Sequence, residues 1–357
     1  MLSKLRNRIA KEPVVHSIEK LDEFLFCSIY DYWTYGNNID EEFYYHFYDK
    51  THIEKSSYMT NRVRLVYMDH LCCGGVPADP KIRYQRIDLL EKKYLCYKRL
   101  QAYYKRQIIE IKNKDDYGVF EAFVREHPVF VVKPSNFYYG LGVHKVTISS
   151  FSSIAEAFNT ILSEGIAVKK QHPSLESSIV IEELIEQVDE LAALHPSSIN
   201  GIRATAVVDK DGKVIILHPW IKVGAGGQFV ASAACDGFDA EIDSETGVII
   251  SNGYSENGSI YEVHPDSKLK IKGYQIPKWN ELKSLVAELM RALPEYRYIG
   301  WDLVLTKQGW VVMEANYSGE FMWQLIRQCG GKQEFEQIIG WKMESDFWWQ
   351  IRPYVAH

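Results

Sequence analysis

Residues 300–320 read G-W-D-L-V-L-T-K-Q-G-W-V-V-M-E-A-N-Y-S-G-E, and this stretch limits the fold more than any other. Two apolar runs, 301–305 and 310–313, flank Lys307, Gln308 and Gly309, a trio suited to a tight turn. The pattern predicts a β-hairpin or two adjacent strands. Asp302 falls on the first strand, and Glu314 and Asn316 end the second. Residues two apart share a face of an extended strand, so Glu314 and Asn316 point the same way. Pairing about the turn brings Asp302 to them. Three oxygen-bearing side chains gathered in this way suit Mg²⁺, a hard cation that prefers such ligands and can bridge phosphates. A solvated hairpin edge with ordinary charges accounts for the same spacing.

The segment before the hairpin is the clearest helix. Leu282, Leu285, Val286, Leu289, Met290 and Leu293 recur at helical period and predict a helix over 281–293 that Pro294 closes. A helix behind an antiparallel sheet that turns its acids outward is the expected local architecture.

At 357 residues the chain has room for two or three domains, each with its own core. A net charge of -6 argues against a general nucleic-acid binder. No apolar run reaches the length of a membrane span, and no signal peptide is visible. The six cysteines, Cys27, Cys72, Cys73, Cys96, Cys235 and Cys329, form no C-x-x-C pair. The expectation is free thiols and a cytoplasmic location.

The first 80 residues read as helical, starting with a helix over 18–30 whose apolar face holds Leu21, Phe24, Leu25 and Ile29. Gly74, Gly75, Pro77 and Pro80 mark 71–80 as a loop. One or two helices follow over 83–107. Their basic residues form a solvated face or send one lysine or arginine to a phosphate. A short strand, 128–134, ends in Lys133-Pro134; a glycine-bearing turn with Gly140 and Gly142 follows, then a strand over 143–148. A loop of this shape can fold over phosphates, with backbone N–H groups as donors and Lys133 as a point charge. An ordinary hairpin has the same shape, and the pattern G-x-x-x-x-G-K-[ST] is absent. A helix over 152–164, capped by Ser152 or Ser153, precedes a strand over 178–184. That strand ends in Glu182 and Glu183, and Glu190 lies beyond it. Acids here either serve a nucleotide base and ribose or simply face solvent. Further strands span 200–208, which carries Arg203, and 213–217; residues 220–223, which carry Lys222, lead into Gly224-Ala225-Gly226-Gly227. Each of these cations has a salt-bridge reading beside the functional one. His264 has no clear catalytic partner. Residues 321–329 read as a short terminal helix stopped by Gly330-Gly331.

In order, V-F-V-V-K-P at 129–134, G-L-G-V at 140–143, I-V-I-E-E-L-I at 179–185, N-G-I-R at 200–203, I-K-V-G-A-G-G at 221–227, I-D-S-E-T-G at 242–247, H-P at 264–265, I-G-W-D at 299–302 and M-E-A-N at 313–316 resemble the ATP-grasp superfamily. The nearest likeness is the group associated with sugar transfer, over roughly residues 85–340. The resemblance implies an α+β ATP-grasp fold, with two α+β lobes enclosing a nucleotide and a helical N-terminal region. It divides the chain into a helical region at 1–82, a linker and start of the ATP-grasp region at 83–127, a nucleotide-binding small lobe at 128–184, a C-terminal lobe with the metal site at 185–345, and a tail at 346–357.

The resemblance also implies roles. Lys133, and an earlier lysine nearest to Lys98, would bind ATP phosphates with Gly140 and Gly142. Glu183 and Leu184 would meet adenine, with Glu182 beside them, and Glu190 would meet ribose. Asp302, Glu314 and Asn316 would hold Mg²⁺. Arg203 and Lys222 would face the reacting groups, Lys222 standing where relatives tend to have arginine. Asn136 to Tyr139 place bulky residues where relatives have more glycine. The implied activity is ATP-dependent carbon–nitrogen ligation. A small-molecule or peptide carboxylate, such as a cell-surface sugar acid, becomes an acylphosphate and is captured by an amine. The alternatives are a phosphotransferase, or a non-catalytic glycan- or peptide-binding protein suggested by the aromatic residues 137–139.

Overall fold

The computed structural model describes residues 18–136, 142–171, 177–227, 229, 231, 237–255, 258–319 and 321–344. In chain order the helices are α1 (Ile18–Tyr35), α2 (Ile39–Tyr44), α3 (His52–Ser56), α4 (Asn61–Cys73), α5 (Pro80–Glu91), α6 (Lys93–Tyr104), α7 (Tyr117–Glu126), α8 (Ile154–Gln171), α9 (Asp189–Ala192), α10 (Trp279–Ala292), α11 (Met322–Arg327) and α12 (Lys332–Ile339). The strands are β1 (Ile108–Ile111), β2 (Val129–Pro134), β3 (His144–Thr147), β4 (Ile179–Glu183), β5 (Gly201–Val208), β6 (Val214–Val223), β7 (Phe238–Glu241), β8 (Gly253–Tyr254), β9 (Ile260–Tyr261), β10 (Tyr298–Thr306) and β11 (Gly309–Asn316). Two compact units form: one from Met1–Arg83, Val208–Lys213 and Glu320–His357, the other from Tyr84–Val207 and Val214–Gly319.

The first unit is helical. α1 runs five residues past the expected end, and its inward stripe is Phe24, Ser28, Asp31 and Tyr35. Ile29, expected on the buried face, is 39% exposed. Half of the true stripe is polar, so an apolar count alone assigns the wrong face. Asp31 is paired with Lys55 Nζ at 2.6 Å. Tyr35, Tyr45, Phe47 and Tyr58 make an aromatic core. Gln324 of α11 ties this core together, its Oε1 accepting from the Met59 and Gly331 N–H groups.

Two expectations in this unit need correcting. The loop over 71–80 begins only at Gly74, because Leu71 and Cys72 pack inward and keep α4 going until Gly74 turns left-handed at φ +76. Nor is α11 the terminal helix. Gly331 caps α12, which buries Phe335 and Ile339. The glycine pair exists for close packing: a Cβ on Gly330 would lie 2.3 Å from the Ser57 backbone, and one on Gly331 1.9 Å from the Trp323 ring.

The second unit holds two antiparallel sheets. In the four-stranded sheet, order β1-β4-β2-β3, Ile109, Ile111, Phe130, Val132, Ile179 and Ile181 face Phe120, Phe123, Phe158 and Ile161 of α7 and α8. Strand alternation therefore sends Lys133 and Glu182 to the opposite face. α8 absorbs residues 165–171 beyond the expected 152–164. Gly165 permits this, since a Cβ there would fall 2.1 Å from the Ser177 carbonyl oxygen. Ser153 caps the helix by accepting from the Glu156 N–H.

The seven-stranded sheet has the order β11-β10-β5-β6-β7-β8-β9. The expected hairpin is present as β10–β11, and the strand expected at 213–217 runs on to Val223 as β6. On one side lie Leu282, Val286 and Leu289 of α10, fully buried, with Trp301, Leu303 and Leu305 of β10 buried as well. Each such side chain contributes about 1.5–3 kcal/mol by leaving water. Alternation puts Asp302 and Gly300 on the other side.

Among the described residues, no helix is long and apolar enough to cross a membrane.

Candidate active site

Asp302 lies at the centre of three strands. Its register partners are Glu314 on β11 and Arg203 on β5, and Gly300, two residues earlier, is opposite Asn316. One face of the sheet thus brings together the three residues expected to act as a set. Arg203 Nε donates to Asp302 Oδ1 at 2.6 Å and Nη2 to Oδ2 at 3.2 Å; Lys222 Nζ reaches Oδ2 at 3.1 Å. Burial alone would raise the Asp302 pKa, but Arg203 and then Lys222 hold it down at about 2. Arg203 and Lys222 are accordingly fixed on an acid of the cluster, as the salt-bridge reading of each expects.

Glu314 pairs with Lys93 Nζ at 3.2 Å. Lys93, at the first turn of α6, was not singled out from the sequence; Lys98 was. Lys98 is exposed and lies over the Tyr94 ring at 5.2 Å, apart from this assembly. The Lys93 N–H also bonds the Ser135 carbonyl, just past Lys133. Glu91, likewise missed, accepts from the Tyr317 N–H at 2.9 Å. Burial, then the Glu314 charge, push its pKa up to about 7 against that N–H bond.

The acids and the amide supply hard oxygen donors. Asn316 spends its Nδ2 on the Gly300 carbonyl, so its Oδ1 accepts no hydrogen bond among the described residues. Glu314 meets its lysine through Oε1. Among the described residues no group of three His, Cys, Asp or Glu is placed to hold a metal by itself. The set fits a divalent cation only with the amide oxygen included.

On the four-stranded sheet, Lys133 Nζ meets Glu182 Oε1 at 2.8 Å, and Arg106 Nη2 meets Glu182 Oε2 at 2.8 Å. Burial would raise the Glu182 pKa, but Lys133 and Arg106 hold it at about 2. Glu182 is therefore the internal counter-ion of Lys133, with both oxygens engaged. Glu183 ends β4 and bonds residue 107 twice, its N–H donating to the Gln107 carbonyl and its Oε2 accepting from the Gln107 N–H. Leu184 follows, half-buried. Glu190 is exposed on α9, where its carbonyl accepts from Tyr274. Gly142 is left-handed at φ +73, and a Cβ there would crowd Pro134 at 2.9 Å. Gly140 and the aromatic residues 137–139 lie outside the described residues.

Ser198, His195 and Asp266 imitate a nucleophile arrangement, with Ser198 Oγ 2.8 Å from His195 Nδ1 and Asp266 Oδ2 3.8 Å from Nε2. Ser198 is buried under Gly224, whose Cβ would fall 2.2 Å from Oγ. A hydroxyl so covered cannot reach a substrate. His264 is buried too: Nδ1 accepts from the Asp266 and Ser267 N–H groups, which leaves Nε2 to donate to the Gly224 carbonyl. These residues hold the start of the glycine loop after Lys222.

The model of the sugar-transfer associated ATP-grasp family matches residues 82–339. The chain belongs to that family, and its architecture is the α+β ATP-grasp fold with a helical N-terminal region. Solved structures are similar at low identity. D-alanyl-alanine synthetase A from Vibrio cholerae is 13% identical, over 75% of this chain and 64% of that one, with a TM-score of 0.40. Phosphoribosylamine–glycine ligase from Thermotoga maritima is 13% identical over 73% and 57%, at 0.44. Biotin carboxylase from Campylobacter jejuni is 11% identical over 73% and 48%, at 0.43. The chain thus spans less than two thirds of each of these structures. No curated protein matches it.

Proposed function

We propose that the chain is an ATP- and Mg²⁺-dependent ligase that joins a carboxylate to an amine. The observation that carries this reading is the face shared by Asp302, Glu314 and Asn316, with Arg203, Lys222 and Lys93 already held against its acids. In this reading Asp302, Glu314 and Asn316 hold the metal. Bound Mg²⁺ would neutralise phosphate charge there.

The chain's own groups do the rest. Lys133 keeps its bond to Glu182 and turns its remaining N–H donors to phosphate oxygens, while Lys93 leaves Glu314 for them. Main-chain groups at Glu183 and Leu184 take the edge of the base, and Glu190 takes ribose hydroxyls. Arg203 and Lys222 lie where negative charge grows as the γ-phosphoryl group moves. A substrate carboxylate oxygen attacks the γ-phosphorus and ADP departs. A neutral amine then attacks the acyl carbon, losing its proton as phosphate departs with the C–O bond electrons. No covalent enzyme intermediate is required, which agrees with the covered state of Ser198. The family's description, which associates it with sugar transfer, favours a sugar acid as the carboxylate over an amino acid or a peptide.

Calorimetry with AMP-PNP and Mg²⁺ tests the foundation, and folded protein that binds neither overturns it. Mass spectrometry after incubation with ATP, Mg²⁺ and candidate acceptors tests the chemistry. A ligase yields ADP, phosphate and a new amide. A stable phosphorylated product identifies a phosphotransferase instead.

A further inference from the structure

The connector 105–107, between α6 and β1, is bonded to both sheets of the second unit through three successive residues. Lys105 Nζ donates to the Gln308 carbonyl in the β10–β11 turn at 2.9 Å. Gln107 exchanges main-chain and carboxylate bonds with Glu183 on β4. Arg106 does both at once. Its Nη1 donates to the Val312 carbonyl of β11 at 2.6 Å and to the Tyr104 carbonyl at 3.3 Å, while Nε and Nη2 converge on Glu182 Oε2 at 3.1 and 2.8 Å. Both side chains of the pair are about 5% exposed or less.

β11 is an edge strand. The Val312 carbonyl therefore takes a donor from outside the ladder, and Arg106 provides it. Val312 is two residues before Glu314, and Glu182 is the counter-ion of Lys133. One rigid guanidinium thus links the strand bearing the proposed metal ligands to the strand bearing the proposed base-binding residues. A planar fork can hold both directions together; a lysine ammonium on a flexible stem cannot.

We propose that Arg106 is a positioning residue that fixes the spacing between β4 and β11, and through Glu182 fixes Lys133, so that a nucleotide held at Glu183 presents its phosphates to Asp302 and Glu314. The nucleotide part of this inference rests on the proposed function; the coupling of the two strands does not.

Two measurements test it. The first is backbone hydrogen exchange without nucleotide, comparing the wild type with Arg106→Met. Exchange should rise at least tenfold in both 180–184 and 309–316. A rise confined to 104–108, or none, overturns the strut. The second is AMP-PNP affinity with Mg²⁺ for Arg106→Met and Arg106→Lys, each alone and combined with Lys133→Met. Affinity should fall at least tenfold in either single variant, and by a smaller factor when Arg106 is changed on top of Lys133→Met, because the share of the effect carried through Lys133 is already lost. A merely structural role would lower the unfolding temperature but leave the affinity of the folded protein unchanged, and that result overturns the proposal. Arg106→Lys keeps a cation beside Glu182 and serves both measurements if Arg106→Met does not fold. If the wild type binds no nucleotide, the ligase reading falls, and the exchange data alone decide the strut.

Discussion

Asp302 and Glu314 are opposite each other on β10 and β11, and each is already held by a cation of the chain. Two negative charges on the cluster are thus met by three positive ones, from Arg203, Lys222 and Lys93. A metal ion approaching this face alone would have to displace or share these partners. Phosphate oxygens arriving with it would give the cations somewhere to go.

The first prediction follows from that exchange. Mg²⁺ titrated into the protein alone should bind weakly, and the same titration with AMP-PNP present should show at least tenfold tighter binding. Calorimetry checks both. Equal affinity in the two titrations would show that the cations do not compete for the acids.

The second prediction separates two lysines five residues apart on α6. Lys93 Nζ sits 3.2 Å from Glu314, and Lys98 lies exposed over Tyr94. A charge-assisted contact is worth about 1.5–3 kcal/mol. Lys93→Ala should therefore weaken AMP-PNP binding by roughly ten- to a hundredfold. Lys98→Ala should stay within about twofold, because a solvated charge over a ring contributes little at an exposed site. Comparable losses in the two variants would return Lys98 to the site.

The third prediction concerns the helical unit. Glu42 is fully buried, accepts from Asn37 Nδ2 at 2.8 Å, and neighbours Asp31, which pairs with Lys55. Burial and then the Asp31 charge raise its pKa from 4.5 to about 8. A carboxyl with a raised folded pKa holds its proton more tightly folded than unfolded. Its stabilisation is complete below about pH 4.5 and is lost as pH climbs toward about 8. The unfolding temperature should fall between pH 6 and pH 9. Glu42→Gln mimics the protonated form and should flatten that dependence. A wild-type profile that rises over this window would show that Glu42 is ionised in the fold.

How much of this was legible in the sequence depends on what each element exposes to pattern. The β10–β11 hairpin could be read because apolar runs flank an obvious turn, and pairing then fixes Asp302 against Glu314 without further information. The stripe of α10 could be read for the same reason. α6 could not. Its segment is basic on all sides, so helical phase does not choose Lys93 over Lys98. Arg106 was hidden because it sits between elements, where no periodicity applies; its partners are 76 and 206 residues away in the chain. Glu182 and Glu183 show the opposite limit. Strand alternation assigns them to different faces, yet only pairing with Val131 reveals that Glu182 shares a face with Lys133. The glycines at 330 and 331 read as a stop because close packing leaves the same local signature as a chain break.

The fourth prediction concerns Glu314→Gln. Glu314 carries one of the two carboxylates of the proposed metal set, and its side chain is 32% exposed, so it bears little of the fold. Glutamine keeps the size and one acceptor oxygen, and should leave thermal unfolding within the range of about 0.5 kcal/mol typical of a surface change. It removes the negative charge that favours a hard cation and releases Lys93 from its pair. Loss of one electrostatic contact in phosphoryl transfer costs about 3 kcal/mol, or roughly a hundredfold in rate. ATP consumption with the true acceptor, followed across a Mg²⁺ series, should therefore fall by about that factor, with the half-saturating Mg²⁺ concentration raised. Calorimetric titration of Mg²⁺ in the presence of AMP-PNP should show the same weakening without turnover. A variant that unfolds like the wild type, binds the metal equally well and turns over at the wild-type rate would remove Glu314 from the site. Asp302 would then be the sole carboxylate of the set, and two oxygens of one acid already committed to Arg203 and Lys222 are too few to hold Mg²⁺.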